Sequence, residues 1–283
     1  MREWIRGVVA GLNRHALSTA IYSGQILQFE SLPDIAAAVR ETRKLLCNVF
    51  APHFPPIAHE FMTSEEHATR FNAAQQAFNE TAAIKEHIYS AICAAGAHRP
   101  DTFCDRLRLR ASPPTRLSAD RPYYRSATPA HRDSWGSAIL SQINWWFPIY
   151  PLQPEHTLAI FPAHWSKAIK NNTNGWDWRQ VGKCPRTPRL PTALGPIDRI
   201  EEVRLLMPPG VLAAFSAAHL HAGVRNTTDS TRFSIETRSI DVEDLKAGRG
   251  APNVDGLGMR PAFSWFTRMT DNRSLDECIS AWV

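Results

Sequence analysis

Long apolar runs are missing from this chain: no stretch approaches the roughly 18 unbroken apolar residues of a membrane-spanning helix. No membrane association is therefore expected. Paired cysteines are missing too. Cys47, Cys93, Cys104, Cys184 and Cys278 are scattered, odd in number and form no CxxC. This argues against a disulfide framework or a zinc ribbon and points to a reducing, cytoplasmic compartment. There are no repeats and no low-complexity tract. GxSxG, HExxH, P-loop and GxGxxG motifs are all absent, which leaves hydrolase and nucleotide-binding readings with little support. The N-terminal MREWIRGVVAGLNRH is too short and interrupted for a signal peptide. Trp4, Val8 and Leu12 fall on one face of a helix there, so a helix is expected.

What is present describes an ordinary globular chain. It has 283 residues, 43% apolar and 21% charged. That length can bury a core without disulfides or a structural metal, so a metal here would be functional. A net charge of +5 does not identify a nucleic-acid binder, and no nucleic-acid partner is expected; it is compatible with anionic small molecules.

The chain changes texture near residue 100. Residues 1–100 read as mainly helical. Ser31 with Pro33 marks one helix start, running through IAAAVRETRKLLCNVF. Thr63 and Glu66 make a capping-box pattern ahead of a long alanine-rich helix to about Ala95. Beyond this, Arg106 to Arg110 alternates as a half-buried strand does. Short β-like runs follow: SAILSQINWWFPIY, HTLAIF, EEVRLLM, VLAAFS and TRFSIETRSI. Residues 171–198 read as a long irregular loop, of the kind that forms lids or binding loops. The expected architecture is a β fold with flanking helices: a jelly roll, or double-stranded β-helix, over residues 101–245. A helical N-terminal layer covers it, and residues 246–283 form a C-terminal extension of the same single domain.

Two places carry chemistry. His131-Arg132-Asp133 is the only HxD in the chain, and there is no HxE. His and Asp two apart on extended backbone point to one side. Far along the chain, Ala218-His219-Leu220-His221 supplies a second imidazole. Two His and one carboxylate on one face of an iron(II) ion leave the opposite face open. Arg232 lies 11 residues after His221, and Arg232, Ser234, Glu236 and Arg238 share one strand face. An Arg with a Ser two residues on can grip a carboxylate through a fork and a hydroxyl.

The segment PPGVLAAFSAAHLHAGVRNTTDSTRFSI resembles the C-terminal signature of phytanoyl-CoA dioxygenase-like oxygenases, with Gly210, His221, Gly223, Asn226 and Arg232 in matching positions. HTLAIFPAHW is similar to that family's Pro-Gly-Ser-His strand end, with Pro162 and His164 in register, and His131 and Asp133 match its HxD. The resemblance covers roughly residues 125 to 240. Ala163 and Val211 depart from the family pattern, so the family's substrate does not carry over. The resemblance implies iron(II) on His131, Asp133 and His221, O2 as oxidant, and 2-oxoglutarate held at its distal carboxylate by Arg232 and Ser234. Asp133 fills the position that is Gly or Ala in related halogenases, which implies hydroxylation, desaturation or oxidative cyclisation instead. His219 competes with His221 as third ligand; the spacing to Asn226 and Arg232 favours His221.

Further candidates surround these residues. Gln142, Asn144 and Trp146 alternate on one strand face, with Gln142 and Asn144 placed to bind 2-oxoglutarate or substrate and Trp146 to wall a pocket. Trp135 beside the HxD is a second pocket candidate. Trp176 and Trp178 sit in the long loop as lid candidates. Arg121 and Arg125 are candidates for an anionic or amino-acid-like substrate. The competing class is a jelly-roll binding protein that holds a metal or small molecule without turnover, and oxygen-coupled succinate release separates the two.

Overall fold

The structure is a computed structural model that describes residues 4–8, 11–117, 127–185, 187–258 and 260–280. The N-terminal stretch is a strand rather than the expected helix. β1 (Ile5–Val8) lies parallel to β2 (Ile26–Phe29), with α1 (Arg14–Tyr22) as the crossover. The physical reason is that a spacing of four fits both periods: Trp4 and Val8 share a face in a strand as well as in a helix. Gly11, at φ +82°, then breaks the run, and the Asn13 side chain caps α1 by accepting from the Ala16 amide.

The helical layer follows. α2 (Pro33–Phe50) begins with Pro33 in its first turn, but its N-cap is Leu32, and Ser31 takes a left-handed φ of 61° instead of capping. The Thr63–Glu66 capping box is formed at the start of α3 (Ser64–Glu80). The single long helix expected to Ala95 is two. Thr81 leaves helical backbone, returns its hydroxyl to the Ala77 carbonyl, and opens α4 (Ala82–Ala94).

The remaining strands are β3 (Thr102–Cys104), β4 (Arg108–Ser112), β5 (Gln142–Pro148), β6 (Leu158–Ile160), β7 (Val203–Arg204), β8 (Leu212–Ser216), β9 (His221–Gly223), β10 (Arg232–Asp241) and β11 (Thr267–Arg268). Short helices α5 (Asp133–Ser137), α6 (Val242–Lys246) and α7 (Leu275–Ser280) punctuate them. Among the described residues the large sheet runs β1-β2-β8-β5-β10-β3-β11, with β4 also on β10; the small sheet runs β7-β6-β9. An isolated antiparallel bridge joins His131 to His221 at the edge of β9. From β4 onward the chain therefore alternates between the sheets: β4 large, His131 small, β5 large, β6 and β7 small, β8 large, β9 small, β10 large. That is the double-stranded β-helix expected from the sequence.

Strand alternation decides which residues see the interior. Phe233 and Ile235 of β10, with Trp145 and Phe147 of β5, join one apolar cluster with Leu46 and Phe50 of α2 and Ile88 and Ile92 of α4. Phe50 meets Phe233 edge-on at 6.0 Å. The helices thus cover the outer face of the large sheet. Ser234, Glu236 and Arg238 point the other way, across from Pro148, Trp146 and Asn144 of β5. The C-terminal extension is woven in: β11 pairs with β3, and Phe266 and Leu275 pack with Phe103 and Ile240.

Candidate metal centre

The bridge between residues 131 and 221 brings the two motif segments together. Each of the two histidines donates its amide to the other's carbonyl at 2.9 Å, and their rings lie 4.2 Å apart. Asp133 opens α5 just after this pairing, and its Oδ1 lies 3.6 Å from His131 Nε2. One ligand atom from each of His131, Asp133 and His221 lies within 4.8 Å of the other two, and all three side chains are buried. His131 Nδ1 is 2.8 Å from the Pro129 carbonyl, and His221 Nδ1 is 3.0 Å from the His219 carbonyl. Each carbonyl fixes the proton on Nδ1, so both Nε2 lone pairs remain for a cation.

Asp133 is held from behind. Arg238 reaches Oδ1 through Nη2 at 2.9 Å and Oδ2 through Nε at 3.3 Å, while Asn144 Nδ2 donates to Oδ2 at 2.7 Å. Burial pushes the Asp133 carboxyl up, but the Arg238 charge and the neighbouring imidazoles overcome it and hold it well below the ordinary carboxylate range. Arg238 also binds Asp105 at 3.1 Å, and Arg108 completes that pair. Gln142 Nε2 donates to Asn144 Oδ1 at 2.9 Å. Gln142 and Asn144, expected to bind 2-oxoglutarate or substrate, form a relay ending on Asp133, and Gln142 Oε1 is left without a partner among the described residues.

His219 is not part of the cluster. Residues 217–220 turn rather than extend, so the two-residue spacing does not put His219 beside His221. Its Nε2 lies 3.2 Å from the Gly24 carbonyl and its ring packs 4.5 Å from Trp165. Burial lowers its pKa to about 3, and burial, with a smaller contribution from the neighbouring His131, lowers that of His221 to about 4. Both folded values lie below the ordinary 6.5, so the unfolded chain takes up these protons first, and stability falls as pH drops from about 6.5 toward 4. In chelator-containing buffer the loss is expected to reach up to about 2.7 kcal/mol per pH unit for two sites. Urea midpoints at pH 7 and pH 5 check it; equal midpoints would contradict the buried neutral state.

Arg232 and Ser234 sit at the start of β10 on the inner face. Arg232 Nη1 donates to the Thr157 carbonyl at 2.9 Å, while its Nε and the Ser234 Oγ are buried without a hydrogen-bond partner among the described residues. The acid on the same face, Glu236, is taken by Arg110 at 2.5 Å. Burial lowers the Arg232 pKa to about 10. A partly buried guanidinium with an unpaired Nε, on the same strand face as an unpaired hydroxyl, is an arrangement able to accept an anion.

The aromatic candidates divide. Trp146 is on the inner face, across from Glu236 and Ala213, and is buried. Trp135 packs with Ala159, Phe161, Leu220 and Val224, and its Nε1 donates to Asp255 at 2.7 Å. Trp176 donates to the Pro188 carbonyl and Trp178 stacks edge-on with Trp265. Arg121 and Arg125 lie outside the described residues. Sequence reasoning assigned no role to Arg238, although its place on the Arg232 face was visible, and it did not find Asp255.

Fold and site together define a jelly-roll protein with a buried two-histidine, one-carboxylate cluster. No family model matches the chain, and no curated protein matches it. Among solved structures it is similar to EvdO2 from Micromonospora carbonacea var. aurantiaca complexed with 2-oxoglutarate, at 14% identity and a TM-score of 0.46, covering 82% of this chain and 93% of that one. EctD from S. alaskensis in its apoform is similar at 12% identity and a TM-score of 0.42, covering 92% and 85%. SnoK, a non-heme alpha ketoglutarate dependent carbocyclase from nogalamycin biosynthesis, is similar at 16% identity and a TM-score of 0.34, covering 65% of each chain.

Proposed function

We propose that this chain is a non-haem iron(II)- and 2-oxoglutarate-dependent oxygenase of the phytanoyl-CoA dioxygenase-like kind, oxidising a small organic metabolite in a biosynthetic pathway. The convergence of His131, Asp133 and His221 on one point carries the proposal. The donor set fits iron(II): two imidazoles whose Nδ1 atoms are already engaged, and one carboxylate kept ionised. The orphaned Nε of Arg232 and Oγ of Ser234 fit the distal carboxylate of 2-oxoglutarate, which would give both a partner.

Bound iron(II) with 2-oxoglutarate supplies oxygen activation coupled to decarboxylation of the co-substrate to succinate. The chain's own residues do the rest. His131, Asp133 and His221 would hold the ion by three protein ligands. Arg238 and Asn144 fix the Asp133 carboxylate, so its orientation is set before a ligand arrives. Arg232 and Ser234 set the depth of the co-substrate. Trp146 and Phe215, the latter 5.4 Å from the His221 ring, line the interior with apolar surface that excludes water. Asp133 occupies the carboxylate position, which favours hydroxylation, desaturation or ring closure over halogenation.

The test is a screen of small amino acids and carboxylates for stimulated 2-oxoglutarate turnover. Succinate release that tracks oxygen consumption and requires added iron(II) is the expected result. Tight binding of iron and 2-oxoglutarate with no succinate under any condition would favour a binding protein instead.

A further inference from the structure

Arg132 stands between the two metal-ligand positions of the HxD segment, yet it points away from them and is 2% exposed. A buried guanidinium of this kind is stable only if its donors are used. They are used on three separate segments. Nη1 donates to the Ala218 carbonyl, in the turn that leads into His221; Nη2 donates to the carbonyls of His164 at 2.8 Å and Lys167 at 3.0 Å; Nε donates to Asp255 at 3.2 Å. Asp255 is equally committed. Its carboxylate also accepts from Trp135 Nε1 at 2.7 Å and the Ile169 amide at 2.9 Å, and its carbonyl accepts from Asn171 Nδ2 at 3.0 Å.

We propose that Arg132 and Asp255 are positioning residues that lock the His131–Asp133 segment, the turn before His221 and the loop after β6 into one unit, and so set the spacing of the three metal ligands. This rests on the metal-site reading above. The chain of contacts supports it directly. Arg132 is covalently one residue from both His131 and Asp133, and its guanidinium ends three residues from His221. Trp135, on the same short helix as Asp133, is tied to the same carboxylate. A shift in Asp255 is thereby felt at both sides of the cluster. Outer partners of metal sites act in this way, orienting ligands they do not touch through the metal itself. Asp255 does this from the C-terminal extension, 34 residues beyond the last ligand.

The experiment measures Mn(II) affinity of the full chain, freed of metal by a chelator, by the electron paramagnetic resonance signal of the free ion. Asp255→Asn and Arg132→Lys are compared with Leu46→Ala, a cavity variant in α2 remote from the centre, which controls for loss of stability alone. Thermal midpoints are recorded for all. The lock requires the Kd of Asp255→Asn and Arg132→Lys to rise about 10-fold or more, with Leu46→Ala staying within about twofold of wild type. If Asp255→Asn and Arg132→Lys bind as the wild type does, or weaken no more than Leu46→Ala, the lock is wrong while the metal site stands. If the wild-type chain itself fails to bind Mn(II), the metal-site reading falls and the lock falls with it.

Discussion

His221→Ala is expected to abolish iron(II) binding and all 2-oxoglutarate turnover, while His219→Ala, two residues away, leaves metal affinity near wild type. The two imidazoles face different surroundings. His221 offers Nε2 to the cluster with Nδ1 tied to a carbonyl, whereas His219 turns toward Gly24 and Trp165. Removing one of three protein ligands should weaken binding by more than the roughly 10- to 100-fold typical of an outer-shell partner. His219→Ala instead opens a cavity in a packed region and should lower stability by about 2–4 kcal/mol. Metal titration and urea unfolding on both variants give opposite patterns. Loss of metal binding in His219→Ala with retention in His221→Ala would reverse the ligand assignment.

Arg232→Met should raise the Kd for 2-oxoglutarate by about 30-fold or more, since removing one partner of a buried charge pair costs about 2–5 kcal/mol. Metal affinity should not change, because Arg232 contacts none of the three ligands. The same substitution should not lower the unfolding midpoint of the unliganded protein. It removes a guanidinium whose Nε is buried without a partner, and the Thr157 carbonyl it leaves behind still accepts the Val224 amide at 2.9 Å. Calorimetric titration of 2-oxoglutarate into Mn(II)-loaded protein reads the first effect and thermal unfolding the second. Unaltered co-substrate affinity would remove Arg232 from the binding site.

Four strands of the large sheet, β4, β5, β8 and β10, were legible as short β-like runs, β10 most plainly because its pattern admits one period. Arg232 to Asp241 alternates polar and apolar over a full strand, and the observed pairing uses that alternation to separate the helix-covered face from the interior. The N-terminal strand was not legible, because Trp4 and Val8 satisfy both periods and the outcome is set by pairing with β2, which is non-local. The break at Thr81 was hidden in an alanine-rich stretch with no proline or glycine to mark it. At the site, one HxD is a weak signal in a chain with 11 histidines, and it was the resemblance of the segments around His131, Asp133 and His221 to a known family that singled them out. Gln142 and Asn144 were placed on the right face, but their link to Asp133 was not legible, since a strand pattern reports direction and not what waits there. Asp255 lies in a segment without periodicity, and only the folded chain brings it to Arg132.

The bridge between residues 131 and 221 has a consequence for handling the protein. Two main-chain hydrogen bonds already join the segments that carry the imidazoles, and they owe nothing to an ion. Stripping the cation should therefore leave a folded shell that accepts a replacement, in contrast to small zinc modules that collapse when emptied. Spectroscopic ions can then be exchanged into the same vessel without refolding it.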